Sequence, residues 1–164
     1  MSISILLKQV SSETLADFIA GKLDPDELFD LNSADSKSSQ DSELDLDKSW
    51  HGIHFLLSGM DWEVRDVKTS AILGGTEHGD EFGYGPVRYL AVEQVQTIAK
   101  ELQVVRMEQL QTEYDPARMS ELEIYPDIWD DEIAKKYLLD YFAKLVQFYS
   151  NASNRKLAVL IAVI

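Results

Sequence analysis

Hydrophobic positions divide the chain into short apolar runs separated by polar and glycine-rich breaks. Ile3, Ile5 and Leu7 recur at every second position, alternating with Ser4 and Leu6, which predicts an opening strand. Ser11 and Ser12 then offer an N-cap for a helix carrying Leu15, Phe18 and Ile19 on one face, and Gly21 stands where a C′ glycine would end it. Pro25 suits the first turn of a short second helix over PDELFDL. From Asn32 to Ser42 there are five serines and almost nothing apolar, so a surface loop within the domain is expected. Directly after it, LDLDKSWHGIHFLLSG reads as a largely buried helix with Asp47 as N-cap and Gly59 as its stop.

Residues 74–86, GGTEHGDEFGYGP, hold five of the eight glycines and predict an irregular loop with positive φ angles or close backbone approach. VRYLAV is short, β-branched and aromatic, as a strand requires, and Val95, Ile98, Ala99 and Leu102 follow at helical spacing. A further helix is expected through Met107, Leu110 and Tyr114, and Asp115-Pro116 restarts the chain into a piece ending near Leu122. IYP should be extended, because Pro126 disfavours helical geometry at Tyr125. Asp130 and Asp131 are placed to cap a last long helix striped by Ile133, Leu138, Phe142, Leu145, Val146 and Tyr149, with Glu132 and Lys136 as an i, i+4 pair. The closing run LAVLIAVI suits a strand buried on both faces, most simply beside the opening strand. The pattern predicts one α+β domain over 1–164, mostly helical, with a small mixed sheet that includes both terminal strands and an acidic serine-rich surface loop at 32–42.

Composition narrows the functional classes. A length of 164 residues, 45% apolar and 10% aromatic, is that of one ordinary globular domain. With no cysteine, disulfides, thiolate metal sites and cysteine nucleophiles are excluded, and any metal would need His, Asp or Glu ligands. The N-terminal segment lacks a basic region and a cleavage pattern, and the apolar runs fall short of the roughly 20 residues that span a bilayer, so a soluble cytoplasmic protein is expected. The net charge of −14 argues against nucleic acid and anionic membranes as partners. Residues 24–47 carry nine acids against Lys37 alone, which reads either as a solvated face or as a docking surface for a basic partner.

Candidate chemistry centres on few residues. His51 and His54 lie one helical turn apart, so both could reach one ion, with His78 as a third nitrogen ligand. Against a metal, H-E-x-x-H is absent and Glu77, Gly79 and Asp80 make the surroundings of His78 look like an exposed turn. His54 could act as an acid or base if Asp47 or Glu77 oriented it, yet no G-x-S-x-G nucleophile is present. The glycine-rich stretch matches no phosphate-binding pattern, and its own acids would repel a phosphate, so no cofactor is indicated. Arg88 could pair with a structural carboxylate or hold an anionic ligand. Tyr125, Pro126 and Trp129 form an aromatic corner that is either a core edge or a protein-binding patch.

Several stretches taken together, LDLDKSWHGIHFLLSG, AILGGTEHG, GYGPVRYL, MSELEIYPDIW and YLLDYFAKLVQFY, resemble in order and spacing the YfbM-like family of bacterial domains of unknown function. Trp50, His54, Gly59, Gly74, Gly75, Gly85, Pro86, Arg88, Tyr125 and Pro126 match its pattern, which implies a small single-domain α+β bacterial protein and no particular activity. The functional expectation is a binding module that meets a basic protein or a small ligand through Trp50, His54, Tyr84, Gly85, Arg88, Tyr125 and Trp129, an immunity-type role being one version. The alternative is a small hydrolase-like enzyme with His54 as acid or base, Arg88 as anion clamp and Tyr84 or Tyr125 as a polar contact. That alternative requires these side chains to share one cleft and His54 to be partly open to solvent.

Overall fold

Residues 2–29 and 42–164 are described by the computed structural model. In chain order the elements are β1 (Ile5–Val10), α1 (Ser12–Ile19), α2 (Pro25–Leu28), β2 (Glu43–Asp45), α3 (Trp50–Ser58), α4 (Ser70–Leu73), β3 (Thr76–Glu81), β4 (Pro86–Leu90), α5 (Val92–Gln103), α6 (Met107–Glu113), α7 (Pro116–Glu121), α8 (Glu132–Asn154) and β5 (Ala158–Val163). Most of the expected serine-rich loop, residues 32–41, lies outside the described residues.

The two ends of the chain meet. β1 and β5 pair antiparallel from Ile5 opposite Val163 to Val10 opposite Ala158, and they form the middle of a five-stranded sheet ordered β2-β1-β5-β4-β3. Every pairing is antiparallel, where a mixed sheet was expected. Side chains alternate across a strand, so the unbroken apolar run of β5 serves two cores. Val159 and Ile161 join Ile5 and Leu7 beneath the larger helical layer of α3, α5 and α8. Ala158, Leu160 and Ala162 join Leu6, Val10, Leu15, Phe18 and Phe29 on the opposite face. The result is a sheet covered on both sides, α+β as the pattern predicted.

Local signals explain most boundaries. Ser11 accepts from the Thr14 N–H at the start of α1, and Asp131 accepts from the Ile133 N–H at the start of α8. Asp130 has no such role. Gly59, at φ 72°, ends α3. Gly52 lets α3 approach α8 closely: a Cβ there would lie 2.8 Å from the Leu138 methyls and 2.9 Å from the Trp129 ring.

Further expectations are corrected. The glycine-rich stretch forms most of the β3–β4 hairpin rather than an irregular loop, although Gly75, Gly79, Gly83 and Gly85 do take the expected positive φ; β3 is solvent-facing and needs no apolar pattern, and a bulge between His78 and Glu81 absorbs its irregularity. Asp47 does not cap α3. It sits at φ 48° in a 3₁₀ turn over Asp47–Ser49, where its carboxylate accepts from the Tyr137 hydroxyl at 2.6 Å. On α8, Ile133 is 75% exposed rather than core, and Lys136 pairs with Asp140 at 2.7 Å rather than with Glu132.

Candidate functional site

The paired histidines face inward. His51 and His54 are each 1% exposed, and each ring Nε2 meets a backbone carbonyl of the segment that follows α3, Asp61 O and Glu63 O respectively, at 3.0 Å. A carbonyl only accepts, so both Nε2 atoms carry protons. His51 Nδ1 in turn accepts from the Tyr125 N–H at 2.9 Å, which leaves it no place for a second proton. His51 is thereby fixed as a neutral tautomer, and burial lowers its pKa from the ordinary value. Burial pushes His54 down to about 4, and its Nδ1 has no partner among the described residues. The indole of Trp50 stacks on His51 at 4.8 Å and its Nε1 donates to Ile3 O at 3.0 Å. Tyr125 completes this clamp, its hydroxyl accepting from the Ile3 N–H at 2.8 Å.

His78 belongs to a different layer. It extends from β3 on the far face of the sheet and packs edge-on against Phe18, with ring centroids 5.1 Å apart. The trio His51, His54 and His78 therefore does not converge, and among the described residues no group of three or more His, Asp or Glu could hold a metal ion. His54, 1% exposed, also lacks the solvent access that a role as acid or base requires.

Arg88 ends on backbone carbonyls rather than on a structural carboxylate. Its guanidinium donates to Gly74 O at 2.8 Å and Ile72 O at 3.1 Å, and the Tyr149 hydroxyl donates to Ala71 O beside it. Both side chains satisfy the carbonyls at the C-terminal end of α4, where unpaired acceptors and partial negative charge accumulate. Trp129 is 2% exposed with its Nε1 donating to Ile124 O at 2.8 Å, while Tyr125 and Pro126 are half-buried, so the aromatic corner is a core edge. Of the expected contact residues, Trp50, His54 and Trp129 are buried, Arg88 is committed to backbone, and Tyr84 remains exposed beside Gly85 in the hairpin turn.

Sequence reading passed over the cleft on the other side of that hairpin. Between α1–α2 and β3 lies a space of about 330 Å³ whose floor is Phe18 and Phe82 and whose wall includes His78. Asp24, Asp26, Asp80 and Glu81 surround it, with no Lys or Arg among its lining residues. The larger cleft of about 620 Å³ at the start of α8 sets Lys135 and Lys136 against Asp130, Asp131 and Glu132 and is mixed in sign. Asp24 and Asp80 lie 56 positions apart, a juxtaposition that no local pattern reveals.

The family model described as Domain of unknown function (DUF1877) matches residues 1–162. The chain belongs to this family. A crystal structure of YfbM from Escherichia coli, itself described as a protein of unknown function, superposes with a TM-score of 0.73 at 19% identity and full coverage of both chains. At that identity the likeness establishes the fold shared with YfbM and nothing about activity. No curated protein matches the chain. Among the described residues, no helix is long and apolar enough to cross a membrane.

Proposed function

We propose that this DUF1877 chain is a binding module for a basic protein partner, one that does no chemistry with its histidines, and that the cleft between α1–α2 and the β3–β4 hairpin is where it meets that partner. The observation that carries this reading is the single sign of the cleft: four carboxylates around an aromatic floor, in a molecule of net charge −14. An aromatic floor takes the stem or the guanidinium plane of a basic side chain, while the surrounding carboxylates select its charge. An immunity-type role, in which an acidic surface neutralises a cationic protein, is one form this binding can take.

A lysine- and arginine-rich peptide titrated against the chain tests the proposal directly. Binding should weaken by roughly tenfold or more between low salt and physiological salt, and should be lost in the double variant Asp80→Lys, Glu81→Lys. Both side chains are on an exposed edge strand, so the variant should fold. Salt-insensitive binding, or equal binding by the variant, refutes it.

A further inference from the structure

The segment that follows α3 lies across it as a strap. Residues 60–66 are outside helix and strand, and Trp62, Glu63, Val64, Arg65 and Asp66 are exposed, yet the His51 and His54 side chains that hold the segment are buried. Each end of the strap has an anchor of its own. At the near end Gly59 turns the chain at φ 72° and the Ser58 hydroxyl accepts from the Met60 N–H at 3.0 Å. At the far end the Thr69 hydroxyl accepts from the Arg65 and Asp66 N–H groups at 2.9 and 3.0 Å. Between these anchors the two imidazoles hold Asp61 O and Glu63 O, and the Trp62 ring lies 4.4 Å from that of His51.

This attachment depends on protonation. Each neutral ring spends its proton on Nε2, so a second proton has to enter at Nδ1. At His51 that nitrogen faces the Tyr125 N–H at 2.9 Å, and two donors would oppose each other there. At His54 it is buried without a partner among the described residues. Neither imidazolium therefore fits the closed arrangement, whereas a lifted strap lets water reach both rings and each can take its proton at the ordinary value of 6.5. The field of Asp61 favours the charged rings, but burial outweighs it. Glu63 is turned to Arg65 at 3.3 Å, and Asp47, in the turn before α3, is held by the Tyr137 hydroxyl. The helices packed on α3 meet it with uncharged groups: α8 brings Leu138 against Gly52, α6 buries Leu110, and α4 has no ionisable residue.

We propose that residues 60–66 form an acid-released strap, which lifts from α3 with the uptake of one proton on His51 and one on His54 while the sheet and α8 stay folded. α3 keeps its place because Gly52 seats it on Leu138 and Trp129 from the side opposed to solvent. The direction follows from linkage. Below 6.5 the open form binds two protons that the closed form refuses, so opening is favoured as pH falls, by roughly 100-fold per pH unit for two protons and tenfold for one.

Hydrogen exchange of the full native chain, read by NMR and corrected for the intrinsic rate at each pH, tests this at the Tyr125 amide, which donates to His51. Between about pH 6 and about pH 5, its protection should fall by roughly 100-fold. That exchange should be insensitive to low urea, as local opening is, while the β5 amides, which need global unfolding, respond to urea. In His54→Gln, whose side chain can still donate to Glu63 O, the fall should shrink to roughly tenfold. Protection at Tyr125 that does not change with pH, that follows urea together with β5, or that falls as steeply in His54→Gln as in the wild type overturns the proposal. The wild-type measurements decide it even where the variant does not fold.

Discussion

Four polar side chains that invite a catalytic reading, His51, His54, Arg88 and Tyr149, all end on backbone groups. Each answers the same demand, because a turn or a short helix end pressed against a core leaves carbonyls that need donors. The histidines tie residues 61 and 63 to α3, while Arg88 and Tyr149 close the C-terminal end of α4. The consequence for His54 is measurable. Held neutral in the fold and free to protonate once unfolded, it makes the unfolded state bind more protons below the ordinary value of 6.5. Its contribution is therefore complete above that pH and is lost as pH falls from 6.5 toward about 4, about 3 kcal/mol across the whole window. Urea denaturation of the wild type should show a weaker fold at pH 5 than at pH 7, and His54→Gln should show a shallower drop. Parallel profiles would remove this role from His54.

Among the elements, α8 shows where periodicity succeeds and where it stops. Leu138, Phe142, Leu145 and Tyr149 recur at helical spacing and are all buried. Ile133 extends the same stripe by one turn but projects beyond the layer it should cover and is 75% exposed. Ile133→Lys should change stability by less than about 0.5 kcal/mol, whereas Leu138→Ala should cost about 2–5 kcal/mol. Thermal denaturation of the two variants checks this, and a large loss for Ile133→Lys would mean that the start of α8 is covered after all. The glycine-rich hairpin was missed for the converse reason: β3 pairs through its backbone along an exposed sheet edge, so neither its burial nor its composition announces a strand. β2 was passed over because three residues carry too little pattern to register.

Taken as a whole, the molecule holds 29 acidic and 15 basic side chains on one small body, and like charges on a compact surface repel. Its melting temperature should therefore rise as salt is raised from low concentration to about 0.15 M, where screening acts within roughly 8 Å; a fall over that range would mean that attractive pairs dominate instead. The α+β class, the meeting of the two terminal strands, though not its antiparallel sense, and the buried character of α3 were all legible in the chain, because burial writes itself into the spacing of apolar residues. The fate of the polar residues was not. Whether His54 faces a substrate or a carbonyl, whether Arg88 meets an anion or a helix end, and which of 29 acids gather around one cleft all depend on partners tens of residues away. Hydrophobic burial is non-directional and repeats with the local backbone period, whereas a hydrogen bond or a charged cleft needs particular atoms brought together, and only the packed layers bring them there.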